Sequence, residues 1–188
     1  MNKIDRHKER MITIKKDDKY HVERSYSSKK HHHSSCAQGK QGNTRDSAFR
    51  ALNLTNQPVS ANPSVKVSYQ FKQFDLANEY NPVTSVFRPK KDGVYSLVAT
   101  IGFLPNDTTV DYRARVEIRV NGTAVIAIDN DFFGGNTIFV NVVSVSTIYN
   151  LEKGDRVEVF AESNVDGTIV TTENVSHFEA ARFPSPSE

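Results

Sequence analysis

From Tyr112 to Val120 the chain reads YRARVEIRV, and this stretch limits the possible folds more than any other. Tyr112, Ala114, Val116, Ile118 and Val120 alternate with Arg113, Arg115, Glu117 and Arg119. That period of two puts apolar side chains on one face of a strand and charges on the other. Asn121-Gly122 follows at once; both residues tolerate positive φ, so the pair marks a tight hairpin with a return strand from Thr123 to Ile128. No window shows a convincing helical period. Alternation recurs instead, with Tyr95, Leu97, Ala99, Ile101 and Phe103 on one face and Val157, Val159 and Ala161 on another. Short segments at Phe49–Leu54, Val65–Phe74, Thr168–Thr171 and Val175–Phe183 bring the expectation to about ten strands in an all-β antiparallel sandwich or barrel.

Two segments depart from simple alternation. Asp129–Asn136 (DNDFFGGN) reads as a loop, with Asp131, Phe132 and Phe133 as candidate ligand contacts. Ile138–Tyr149 reads as a strand with two apolar faces: Ile138, Val140, Val142 and Ile148 on one, Phe139, Val143, Val145 and Tyr149 on the other. An antiparallel two-layer protein needs one buried face per strand. A second implies cover from outside the chain or a place inside a thick core.

Charge divides the chain. Residues 1–46 hold 12 Lys/Arg against 6 Asp/Glu and five of the 6 histidines, whereas residues 47–188 hold 12 against 16. A basic, polar tail is therefore expected before a mildly acidic domain, the tail being too poor in apolar residues to offset its ordering entropy. Cys36 is the single cysteine, so no disulfide within the chain is expected. No apolar run is long enough for membrane insertion. The charged start MNKIDRHKERMITIKK is unlike a classical signal peptide.

With the strand pattern in place, one spacing becomes informative: Tyr69-x5-Asp75-x4-Tyr80-x6-Phe87-x5-Gly93-x-Tyr95-x-Leu97-x-Ala99. It resembles the signature of the C1q-like globular domain, with Tyr69 and Leu97 standing for phenylalanines and Ala99 for a ring. Asn121-Gly122, Leu151-x-x-Gly154-Asp155-x-Val157 and Ser176-x-Phe178 fall in the order that family uses. The resemblance covers residues 47–183 and implies a C1q/TNF-like jelly roll, assembled as a homotrimer with one sheet of each protomer at the threefold axis. On that basis Phe49, Tyr69, Phe71, Phe139, Val143, Val145 and Tyr149 are expected near or under the interface, or else in the monomer core. Independently of the family, the shared face of Tyr95, Leu97, Ala99, Ile101 and Phe103 makes them core residues. Gly93 suits a turn of positive φ, and Asp155 suits a turn that caps its own backbone.

Candidate chemistry is sparse. Residues 47–188 contain one histidine, His177, so the clustered histidines of metal-dependent jelly-roll enzymes are missing from the sequence. Asp129 and Asp131 offer oxygen ligands to calcium, and His31, His32, His33 and Cys36 offer soft ligands to a transition metal; both are weak sites. No cofactor is expected, and the tail's modest excess of charge does not suit specific nucleic-acid recognition. The resemblance implies a non-enzymatic trimeric head that binds a protein or glycan surface. Similar heads occur on bacterial spores, so the spore surface is the expected location, with the cytoplasm otherwise. A receptor-binding fibre tip or a cytokine-like ligand is the alternative, and a metal-dependent enzyme comes third.

Overall fold

The computed structural model describes residues 46–136, 138–172 and 174–184. The expected basic tail, with His31, His32, His33 and Cys36, lies outside these residues except for Asp46. Among the described residues there is no helix. Thirteen strands follow in chain order: β1 (Ala48–Leu52), β2 (Gln57–Val59), β3 (Val65–Lys66), β4 (Phe71–Asp75), β5 (Tyr80–Asn81), β6 (Val86–Phe87), β7 (Gly93–Pro105), β8 (Tyr112–Val120), β9 (Ala124–Phe133), β10 (Asn141–Leu151), β11 (Val157–Ser163), β12 (Gly167–Ile169) and β13 (His177–Arg182).

They form two antiparallel sheets. The seven-stranded sheet runs β2-β12-β7-β13-β1-β4, with β10 along the other side of β7; the six-stranded sheet runs β5-β6-β11-β8-β9, with β3 also on β11. Long β7 is central because its odd positions from Tyr95 to Phe103 are all buried, while its partners β10 and β13 lay a ladder along either side. The alternation expected over Tyr112–Val120 is that of β8. Asn121 and Gly122 take φ of 54° and 86°, so the hairpin turn needs both residues' tolerance of left-handed backbone.

Aromatic side chains join the sheets. Phe49 of β1 stacks on Tyr80 at 4.5 Å and on Phe87 at 4.9 Å, and meets Phe178 edge-on at 5.1 Å. Phe87 meets Tyr95 edge-on at 5.7 Å. Burial of such rings contributes about 1.5–3 kcal/mol each, with a further increment from the ring pairing. Their hydroxyls are satisfied: Tyr80 Oη donates to the Tyr69 carbonyl at 2.8 Å and Tyr69 Oη to the Thr100 carbonyl at 3.2 Å. Burial, with the neighbouring Tyr80 adding to it, pushes the Tyr69 phenol well above its ordinary pKa.

The polar signature residues fix turns. Asp75, whose side chain is buried, accepts the amides of Glu79 and Tyr80 at 2.9 and 3.1 Å and pairs with Lys72. Gly93 takes φ of 150°, and an added Cβ there would meet Arg182 Nε at 2.6 Å. Asp155 Oδ2 accepts the Glu152 amide at 2.8 Å, closing its own turn. Within β7, Gly102 lies beneath Val140, Val170 and Val175. A Cβ at that position would lie 2.5 Å from Val175, 3.0 Å from Val140 and 3.1 Å from Val170, closer than van der Waals contact.

Three expectations need correction. Asp129–Phe133 belongs to β9 and is not a loop; the turn begins at Gly134. Strand β8 offers this segment an unbroken ladder from Tyr112 to Val116, and an edge strand leaves its polar side chains in water, so pairing overrides the poor strand preference of Asp and Asn. The strand expected from Ile138 begins at Asn141 and ends at Leu151. The single strand expected over Val65–Phe74 is split into β3, which pairs with β11, and β4, which pairs with β1 in the other sheet.

Candidate functional site

The alternation of β10 separates its two apolar faces. Val143 and Val145 point into the core, while Val142 and Ile148 point outwards from the seven-stranded sheet, Ile148 with 65% of its surface exposed. The rest of that outward face is smooth. Strand register carries one row across it through Ser146, Val98, Glu179, Arg50 and Phe74, and the next through Ile148, Ser96, Ala181 and Ala48. Arg50 and Glu179 neutralise each other at 3.0 Å. Thr100 and Ser144 share a hydrogen bond of 2.9 Å, and His177 lies beside Thr100. Bulky apolar groups rim the face, with Phe71 and Phe74 on β4 opposite Val142 and Ile148 on β10, and a groove of about 160 Å³ runs beside Phe74, Ala48 and Ser96.

The seven residues expected near an interface therefore fall into two groups. Phe49, Tyr69, Val143 and Val145 are enclosed within one chain and support the face from beneath. Phe71, Phe139 and Tyr149 reach solvent, Phe139 with 71% of its surface exposed. Sequence reasoning missed Phe74 and did not single out Val142 and Ile148 as contacts. The signal for the latter two was the doubled apolar pattern of β10 itself.

The outward face of the six-stranded sheet is ionic. Glu117, buried, accepts from Arg115 at 2.9 Å and from Arg119 Nε at 3.1 Å. Arg113 pairs with Glu162, and the Arg119 guanidinium sits 4.0 Å over the Phe160 ring. Glu158 joins Lys66 and Arg156, each at 2.9 Å. Burial works to raise the Glu158 pKa, but the hydrogen bond and charge of Lys66, with those of Arg156, outweigh it and hold the carboxyl below its ordinary value.

Candidate ligand contacts divide across β9. Phe133 turns inwards, 5.1 Å from Tyr112, while Phe132 turns outwards with 77% of its surface exposed. Asp129 and Asp131 pair in register with the inward-facing Val116 and Ala114, and Asn130 with Arg115 of the opposite face. The alternation thus leaves Asp129 and Asp131 on one side of the strand and turns Asn130 to the other. Among the described residues no group of three or more His, Cys, Asp or Glu is placed to hold a metal.

One further concavity, of about 830 Å³, opens at the β5–β6 hairpin. Lys66, Arg88, Lys90, Lys153 and Arg156 line it above Pro82, Val86 and Pro89. These cations come from β3, the β6–β7 turn and the β10–β11 turn, and were not foreseen as a group.

No family model and no curated protein matches the sequence. Solved structures do match by shape. The Eiger TNF of S. frugiperda superposes with a TM-score of 0.55 at 12% identity, over 77% of this chain and 97% of that one. Murine APRIL gives 0.52 at 12%, over 74% and 100%. The globular domain of zebrafish complement 1qA gives 0.50 at 17%, over 71% and 94%. Two antiparallel sheets in this order, a core built on the spaced rings and these superpositions lead to one conclusion: the chain carries the C1q/tumour-necrosis-factor jelly roll.

Proposed function

We propose that this domain is a non-enzymatic binding head that assembles as a homotrimer through the outward face of its seven-stranded sheet. The observation that carries this reading is the centre of that face, small side chains around one ion pair that leaves no net charge, bounded by Phe71, Phe74, Val142 and Ile148. Exposed apolar groups along both edges of such a face mark protein contact, and the C1q resemblance implies a threefold arrangement of that same layer. Assembly would leave the ionic sheet and the loops at both ends for a partner, each copy contributing one weak site to a multivalent whole. The spore surface is the location that suits such a head behind a basic tail, and its detection or absence in purified spores tests that part alone. For the assembly itself, the absolute mass of the full chain in solution, by light scattering during size exclusion, is decisive. Three chains are expected; a mass of one chain at micromolar concentration would sink the reading.

A further inference from the structure

The concavity beside the β5–β6 hairpin gathers positive charge in a domain that is acidic as a whole. Five of the 12 lysines and arginines of residues 47–188 line it, although those residues carry 16 carboxylate side chains. Lys66 and Arg156 share Glu158. Arg88, Lys90 and Lys153 have no carboxylate partner among the described residues. Glu79 also lines the cleft, but its carboxylate is buried and taken up by the Lys90 amide at 2.7 Å and the Ser47 hydroxyl.

These three cations do not ride on loose loops. Arg88 Nη1 donates to the Gly154 carbonyl at 3.0 Å, and Lys90 Nζ to the Ala77 carbonyl at 2.7 Å. The turns that carry them are tied together by the Gly154 amide on the Pro89 carbonyl at 2.8 Å, and by the Lys153 amide on Asp92 Oδ1 at 2.7 Å. Fixing like charges around one cleft raises the energy of the free domain, and a bound anion relieves that cost.

We infer that this cleft binds an acidic polysaccharide, its carboxylates meeting Arg88, Lys90 and Lys153 and its hydroxyls meeting the exposed amides and hydroxyl of Asn78, Asn81 and Thr84. Two other polyanions fit less well. Nucleic-acid bases need an open ring to stack on, and the one ring lining the cleft, Tyr80, is buried against Phe49 at 4.5 Å. A peptide added as a strand needs an open ladder, and edge strand β5 has two residues and stops at Pro82, which has no amide donor; a peptide held by its carboxylates alone is tested with polyglutamate, whose equally tight binding would overturn the assignment. The assignment rests on the binding-head reading but not on the trimer, because one chain forms the whole cleft.

The test titrates the full chain with polygalacturonate oligomers by calorimetry at two salt concentrations, with dextran as the neutral control. Saturable binding that weakens with salt is expected. The triple variant R88Q/K90Q/K153Q should bind about tenfold more weakly or worse, with a shallower salt dependence. K91Q, in the same turn but outside the cleft, should bind like the parent. Should the triple variant fail to fold, K153Q alone removes no side-chain contact within the described residues and should weaken binding about two- to fivefold. Equal binding by parent and folded variant, equal binding of dextran, or equally tight binding of oligodeoxythymidylate would each overturn the assignment. Light-scattering mass on the same samples separates the two readings: a single-chain mass with cleft binding intact removes the trimer and leaves the cleft.

Discussion

On the outward face of the six-stranded sheet, Arg113, Arg115, Glu117, Arg119 and Glu162 hold one another in ion pairs and Glu158 holds Lys66 and Arg156, whereas the seven-stranded sheet turns out Ala48, Ser96, Val98, Ser146 and Ala181 around the single pair of Arg50 and Glu179. Both sheets lie on one core and use the same alternation, so core packing does not account for the difference. Water does. Charged groups that neighbour each other on a hydrated surface gain modestly and keep the sheet soluble. A smooth face of small groups with a bulky apolar rim gains only when something covers it. On the proposed reading, the ionic sheet faces solvent and the smoother face is kept for contact.

The largest expected effect follows from putting charge on the proposed contact face. Ile148→Asp should reduce the solution mass about threefold, from trimer to single chain, because each contact would then bury a carboxylate without a partner. Light scattering reads this directly, and no change would mean that the face is not the contact. On the other sheet, Glu117→Gln should leave the mass unaltered but lower stability by about 2 kcal/mol, since Arg115 and Arg119 lose the buried carboxylate between them. Urea unfolding followed by circular dichroism measures it.

Acid should act on the ionic sheet in a defined window. Glu158 has its carboxyl depressed below the ordinary value of 4.5 in the folded chain, so its contribution is present above that pH and is lost as pH falls through the folded value. Urea midpoints of the parent should therefore fall more steeply below pH 4.5 than those of Glu158→Gln. The smallest effect is expected at Phe132→Ala, where an outward ring covers little; a stability change within about 0.5 kcal/mol by thermal unfolding is expected, and a larger loss would show that the ring packs.

How much of this could be read from the chain depended on how locally each feature is encoded. Strand β8 and its Asn121-Gly122 turn are written in consecutive residues, so their alternation and φ preference carry over unchanged. Tyr95 is legible as core for the same reason, whereas Tyr69, Tyr80 and Phe87 are legible only through the C1q-like spacing. Strand β9 was not, because Asp129, Asn130 and Asp131 read as a turn until β8 is beside them to supply hydrogen bonds. The division of Val65–Phe74 between two sheets was hidden too, since both halves read as strand and only the fold parts them. Least legible was the cationic cleft. Lys66, Arg88, Lys90, Lys153 and Arg156 come from segments up to ninety residues apart, and no spacing rule brings them together.

Gly102 has a further consequence. The three valines 140, 170 and 175 that close over it form a ridge at one end of an otherwise level face. A level sheet of alanines and serines would let a neighbouring chain slide along the strands and settle in several positions of similar energy. In the proposed trimer that ridge would act as a stop. How far one subunit could advance over another would then be set by the chain's own connections before β10 and before β13, and the missing side chain at position 102 is what lets them sit low on the sheet.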